Sequence, residues 1–418
     1  MKLLFIPSSG LHVKLFLPVI EKLKIGSHYE FSSLSLDTFE GGDAEKELQK
    51  NKIKFRSFEE FADSGSGVRV WGTIRNLFLG KHGLKYPPRL LRSILKNALK
   101  KENPDGVLIG NDNIRSLRFI IQICRELKIT TFLIQDGLIV PGKIQITESE
   151  TFSKRFELVF GQYPEPCFYG GGGADHIFVW GKSVKSGLIR NNIDPNKIHV
   201  VGNTKINSLI RITDRDNTAY LKSIGLPVNK PFILFATTPL KPNGPGTVQE
   251  LKNTISVITG NLDSFPQLNF VIKIHPRESL DLYRDLIPPV FRSKLFLFKD
   301  EDIYHLIKGC EIIMTEASTA ALEAMVLGKK VVLLNLNRRE LSQYSVETVY
   351  LKNNVVLYID NPGDYSNIIK KALSNQDIPE IREARAGFLR DNLVLGSENA
   401  AEKIIQIIDS VLWKQKIN

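Results

Sequence analysis

The chain has 418 residues, 42% hydrophobic and 24% charged, with a formal net charge of +11. Its length exceeds one ordinary domain, and its composition is that of a folded globular protein, which excludes a disordered or fibrous chain. No apolar run approaches the roughly 20 residues needed to span a bilayer, and the three scattered cysteines (Cys124, Cys167, Cys310) suit reduced thiols in a cytosolic protein better than a disulfide scaffold or a metal site.

In chain order, Met1-Lys-Leu-Leu-Phe-Ile-Pro7 reads as a first buried strand and not as a signal peptide. Apolar runs then alternate with helical patterns such as Leu15–Leu23 and Ser116–Leu127. Strands are expected at Leu3–Ile6, Phe31–Leu36, Gly106–Ile109, Thr131–Ile134, Ile177–Trp180 and His199–Val201. A second series is expected at Phe232–Ala236, Phe270–Ile274, Leu295–Phe298, Ile312–Met314, Val331–Leu334 and Val355–Leu357. Short apolar strands separated by helices imply parallel sheets covered on both faces. Two series imply two doubly wound domains, with sites at the carboxyl ends of the strands, facing an interdomain cleft.

From Ser64 to Lys101 there are nine basic residues and no acid, interleaved with Trp71, Phe78, Leu91, Ile94 and Leu95. Such a basic amphipathic segment suits an anionic membrane surface, so Arg69–Lys101 is a candidate for peripheral attachment. The same pattern also suits a helix whose apolar face packs in the core. Tyr169-Gly-Gly-Gly-Gly-Ala174 reads as a flexible loop, and no helix follows it to cradle a phosphate.

Three places in the second half carry candidate chemistry. Val200-Val-Gly-Asn-Thr-Lys-Ile-Asn207 forms a strand-to-helix hinge containing Asn203. Phe270-Val-Ile-Lys-Ile-His-Pro-Arg-Glu278 puts His275 at a strand end, with Arg277 beside it to bind phosphate. In Met314-Thr-Glu-Ala-Ser-Thr319 a strand turns into a helix whose first turn is expected to carry Ser318 and Thr319, an arrangement suited to an anion. Thr315 sits at the turn, and Glu323 lies one turn further on. The Gly-Asn, His-Pro and Ser-Thr…Glu order resembles GT-B nucleotide-sugar glycosyltransferases, in the group of UDP-N-acetylglucosamine 2-epimerases, CDP-glycerol phosphotransferases and bacterial sialyltransferases. The first half matches that group only in outline.

The resemblance implies a GT-B fold of two Rossmann-like domains. An acceptor domain is expected at 1–210, a nucleotide-donor domain at 211–395, and a terminal helix at 396–418 crossing back to the first domain. It implies a donor site of Asn203, His275, Arg277, Thr315, Ser318, Thr319 and Glu323, with Glu323 on the ribose. The substrate would be a UDP- or CMP-linked sugar, with no cofactor and no metal. For the base, two residues stand out: His12 in Pro7-Ser-Ser-Gly-Leu-His-Val13, and Asp136 in Leu133-Ile-Gln-Asp-Gly-Leu138. The latter looks like the acidic-acidic-Gly motif of bacterial sialyltransferases, with Gln135 in place of the first acid. The expected activity is inverting glycosyl transfer onto a surface polysaccharide or glycolipid, at the inner face of the plasma membrane. A 2-epimerase, a glycerophosphotransferase and a nucleotide-sugar-binding sensor are the competing activities. The 2-epimerases use an N-terminal Gly-Thr-Arg-Pro-Glu loop, and this chain has neither arginine nor glutamate there. A nucleic-acid partner is not expected, because no recognisable binding motif accompanies the charge.

Overall fold

A computed structural model describes residues 1–25, 28–37, 42–62, 86–139, 161–165, 167–240, 247–316, 318–342, 345–374, 379–394 and 399–417. The chain divides into two compact units, Met1–Lys205 with Asn392–Asn418, and Ile206–Asp391.

The first unit is built on seven strands: β1 (Lys2–Ile6), β2 (Glu30–Ser35), β3 (Phe55–Ser57), β4 (Gly106–Ile109), β5 (Thr130–Ile134), β6 (His176–Val179) and β7 (Ile198–Val200). All pair in parallel in the order β3-β2-β1-β4-β5-β6-β7. Alternation along each strand feeds two cores. Leu4, Ile6, Val107, Ile109, Leu133, Ile177 and Val179 belong to one face. Leu3, Phe5, Leu108, Phe132, Ile134 and Phe178 belong to the other. Phe5, Phe132 and Phe178 are fully buried, each worth roughly 1.5–3 kcal/mol. The helix Gly10–Lys24 covers the second face. So does the terminal helix Ala400–Ile417, through Ala401, Ile404, Ile408 and Leu412.

The second unit has six parallel strands: β8 (Phe232–Ala236), β9 (Asn269–Lys273), β10 (Leu295–Phe298), β11 (Ile312–Thr315), β12 (Lys330–Leu334) and β13 (Leu357–Ile359). Their order is β10-β9-β8-β11-β12-β13. The fold class is thus two doubly wound α/β units.

Several boundaries differ from expectation for identifiable reasons. Strand β3 is three half-buried residues with Arg56 in the middle, too short and polar to stand out in the sequence. The last strand is Leu357–Ile359 and not Val355–Leu357. The Val355 N–H closes the preceding helix on Tyr350 O, and its carbonyl accepts from Arg385 Nε at 2.6 Å. The helix after β11 starts at Ala320, so Ser318 and Thr319 precede it. There Ser318 Oγ accepts the Ala320 N–H, replacing a helical bond with a local turn.

The basic segment is described from residue 86 onward; residues 69–85, with Trp71 and Phe78, lie outside the described residues. In the helix Pro88–Glu102, Leu91, Leu95, Ala98 and Leu99 are fully buried in the core. Arg92 and Lys96 both pair with Glu126. The apolar stripe is therefore core, and this helix offers a membrane only its charges. Among the described residues, no helix is long and apolar enough to cross a membrane.

Candidate functional site

In the first unit the strand order reverses direction between β1 and β4, where a doubly wound sheet opens a crevice at its carboxyl edge. His12, in the first turn of the helix that follows β1, and Asp136, just past β5, meet there, with Nε2 3.2 Å from Oδ2. The His12 side chain is 3% exposed and that of Asp136 19%. The Ser8 N–H approaches His12 Nδ1 at 3.3 Å, and the Ser8 hydroxyl lies at 3.1 Å. An amide N–H can only donate, so Nδ1 accepts and Nε2 carries the ring proton. Nε2–H then donates to Asp136, whose Oδ2 also accepts from Asn111 Nδ2 at 3.3 Å. The carboxylate is thus the solvent-facing member of the pair, and the imidazole is its support. Gly110 makes this possible, because a Cβ there would lie 2.7 Å from the His12 ring.

Gln135 is fully buried and works for the loop that carries Asp136. Its Oε1 accepts the Trp180 N–H at 2.8 Å, and its Nε2 donates to Gly137 O at 2.8 Å. The glycine run is also committed. Gly170 and Gly172 N–H groups bind the two oxygens of Asp112, at 3.0 and 2.8 Å. Burial pushes the Asp112 carboxyl up to about 6, against the opposing pull of those backbone bonds. A Cβ on Gly172 would meet Asp112 at 2.8 Å. The loop expected to be flexible is therefore a nest closed around a protein carboxylate. Tyr169, beside it, is 6% exposed, and burial raises its phenol well above the ordinary range.

In the second unit the reversal lies between β8 and β11. Thr237 and Thr238 follow β8, His275 and Arg277 follow β9, Glu316, Ser318 and Thr319 follow β11, and Arg339 follows β12. His275 is half-buried and Arg277 exposed. The Arg277 N–H donates to His275 Nδ1 at 3.2 Å, which again puts the ring proton on Nε2. Thr315 is fully buried, and its hydroxyl donates to Ala236 O at 3.0 Å, tying β11 to β8. Ser318 and Thr319 are half-buried. Glu323 is 6% exposed and accepts from Tyr304 O–H at 3.3 Å. Burial raises the Tyr304 phenol well above its ordinary range, and the neighbouring Glu323 adds to this.

Asn203 belongs to the first unit. It is 4% exposed, its Oδ1 accepts the Lys205 N–H at 2.9 Å, and the left-handed backbone of the hinge falls on Gly202 at φ +93°.

Sequence reasoning passed over a charged cluster in the second unit. Arg339 donates to Glu250 at 3.0 Å and to Glu316 at 3.1 Å, and Glu316 also accepts from Thr238 at 3.1 Å. Burial raises the Glu316 carboxyl, with Arg339 and Thr238 pulling the other way. Only the position of Glu316, directly after an apolar strand, could have marked it. Among the described residues, no group of three or more His, Cys, Asp or Glu is placed to hold a metal ion.

A family model described as UDP-N-acetylglucosamine 2-epimerase matches residues 172–409. No curated protein sequence matches the chain. Among solved structures, UDP-GlcNAc 2-epimerase from Neisseria meningitidis bound to UDP-GlcNAc is 17% identical with a TM-score of 0.63, over 98% of this chain and 100% of that one. The Methanocaldococcus jannaschii UDP-GlcNAc 2-epimerase, in complex with UDP-GlcNAc and UDP, is 15% identical at 0.61, over 98% and 100%. Anabaena Alr3699/HepE, in complex with UDP and glucose, is 15% identical at 0.53, over 98% and 100%. At such identities the likeness shows the fold, which is of GT-B type.

Proposed function

The chain belongs to the UDP-N-acetylglucosamine 2-epimerase family, and from that premise we propose that it is an enzyme of UDP-sugars, inverting C2 of a UDP-N-acetylhexosamine. The family match over residues 172–409 carries this reading. No carbonyl adjoins C2, so its proton is not acidic enough to leave alone. Loss of that proton must accompany loss of the diphosphate from C1. The C2–H bond breaks, a C1–C2 double bond forms, and the C1–O electron pair departs with UDP. Delivery of a solvent-derived proton to the opposite face of C2 and return of UDP to C1 complete the inversion, the abstracted proton passing to solvent. The sequence is redox-neutral and needs no added oxidant.

In this scheme Asp136 takes the proton, with His12 and Asn111 fixing its orientation. His275 and Arg277 donate to the departing diphosphate, with Ser318 and Thr319 completing its surroundings. Glu323 takes a ribose hydroxyl. Each charge-assisted hydrogen bond to phosphate contributes about 1.5–3 kcal/mol.

A second reading, glycosyl transfer to a hydroxyl of a polysaccharide or glycolipid, is favoured by a specific feature of the first half. The loop Pro7–Val13 has neither arginine nor glutamate, and the Asp136–His12 pair suits a base for an acceptor hydroxyl. Incubation with UDP-GlcNAc in deuterium oxide separates the two. Deuterium at C2 together with the C2 epimer supports inversion. Release of free UDP with transfer of the sugar to an added hydroxylated acceptor, C2 unlabelled, supports transfer. A protein that binds neither UDP nor UDP-GlcNAc by calorimetry overturns both.

A further inference from the structure

The segment after β9 is held by a hydrogen-bond chain of fixed polarity. The His275 N–H donates to Thr237 Oγ1 at 2.9 Å. Because that oxygen is accepting, its own proton must point elsewhere, and it donates to Glu278 Oε2 at 2.7 Å. Tyr283 O–H donates to the same carboxylate oxygen at 2.8 Å. The Glu278 N–H returns to His275 O at 2.9 Å, closing the turn. His275 is therefore gripped at its N–H, its carbonyl and its ring Nδ1, all by groups that cannot reverse direction.

We infer that Thr237 and Glu278 are positioning residues that aim His275 Nε2–H at the oxyanion of the nucleotide substrate. Glu278 is 7% exposed, and its second oxygen, Oε1, is buried with no hydrogen-bond partner among the described residues. Leaving a buried acceptor unpaired is costly, and a turn needing only an acceptor for two hydroxyls would be served by an uncharged side chain. The charge has a use here, since hydrogen bonds to a carboxylate are the stronger kind. It commits the Thr237 proton, and so leaves the Thr237 lone pair facing the His275 N–H. Thr237 comes from the end of β8 and Glu278 from beyond β9, so the chain also ties two neighbouring strand ends beside the reversal point. The residues differ from those that touch the ligand, and they act only through His275.

The inference rests on the assignment of His275 to the diphosphate, and the test distinguishes failure of either. UDP affinity is measured by calorimetry for wild type, His275→Ala, Thr237→Val, Thr237→Ser, Glu278→Gln and the Thr237→Val/His275→Ala double variant, with the ring nitrogens of His275 followed by NMR. His275→Ala should weaken UDP roughly tenfold or more, the loss expected for one charge-assisted hydrogen bond. Thr237→Val should weaken it comparably and mix the tautomers of the ring. Thr237→Ser, which restores the hydroxyl, should return affinity to within about twofold, and Glu278→Gln should fall between the two. In the double variant Thr237→Val should add less than about twofold, because its effect passes through the missing ring.

Equal losses from Thr237→Val with and without His275 would mean a merely structural threonine and overturn the inference. So would full affinity in Thr237→Val beside a weakened His275→Ala. Should Thr237→Val fail to fold, a single wild-type tautomer and affinity in Glu278→Gln would count against it. Unchanged affinity in His275→Ala would remove the diphosphate assignment itself, and the inference with it.

Discussion

Replacing Gly110 by alanine should disarm Asp136 without touching it. The added methyl would stand 2.7, 2.8 and 2.9 Å from Cδ2, Cγ and Nε2 of His12, where ordinary contact begins at 3.4 Å. Something must therefore give by about 0.7 Å, the gap between the closest of these distances and ordinary contact. The ring is no flexible side-chain end, being 3% exposed, with Ser8 on one nitrogen and Asp136 on the other. A shift of that size along the 3.2 Å bond to Asp136 takes it beyond hydrogen-bond length. Overpacking of this kind costs about 1–3 kcal/mol, which urea denaturation would show as a lower midpoint at unchanged slope. Turnover of UDP-GlcNAc should fall about 10²-fold, near the lower end of what a lost acid–base group costs, while UDP affinity stays the same. The informative control is Gly110→Ala in a His12→Ala background. With no ring to strike, the alanine should be tolerated and cost no further stability. Wild-type turnover and stability in Gly110→Ala would refute both the packing argument and the dependence of Asp136 on His12.

Three further outcomes follow from the same geometry. Asp136→Asn should lower turnover by about 10²–10⁴-fold and leave calorimetric UDP affinity unchanged, with His12→Ala milder; equal affinity losses would count against the assignment. The Asp112 carboxyl is raised by burial from an ordinary 3.8 to about 6, so the native state holds its proton more tightly than the unfolded state. Its contribution is complete below about pH 4 and is lost as pH rises through 6. The rise is worth about 3 kcal/mol, and Asp112→Asn should remove that slope from urea unfolding measured between pH 4 and 7; parallel curves would contradict it. Arg339→Gln strips the cation from between Glu250 and Glu316. It should destabilise by about 1–3 kcal/mol, more at pH 8 than at pH 5, since an uncompensated, partly buried Glu316 must stay ionised at the higher pH; the same loss at both pH values would argue against this.

How much of this was legible from the sequence depended on what each residue needed to be recognised. Strands Gly106–Ile109, Phe232–Ala236 and Leu295–Phe298 were legible to the residue, because each is a short apolar run bounded by glycine, proline or polar residues. The edge strand Phe55–Ser57 was not, since among the described residues it pairs with β2 alone and buries no residue fully. His12 and Asp136 each stood out as strand-end residues of the right chemistry. That they form one pair, 124 residues apart in sequence, required the fold.

The remaining difficulty is that a sequence displays polar groups without showing which of them the fold has already used. The Gly170 and Gly172 amides look ready for a phosphate, yet they are spent on Asp112. Thr315 has the hydroxyl that a donor site wants, yet it is spent on Ala236. Gln135 looks like a lost acid, yet it braces the loop around Trp180 and Gly137. A buried polar group must find a partner, so the partners nearest in space are served first and ligands receive what remains. In the first unit that order bears on the two proposed base candidates. His12 has both ring nitrogens engaged inside the protein, and the Nε2 proton it carries already points at Asp136. Asp136 receives its bonds on Oδ2 and keeps 19% of its side chain in solvent. Under the proposed function, the carboxylate is therefore the better placed of the two to accept a substrate proton.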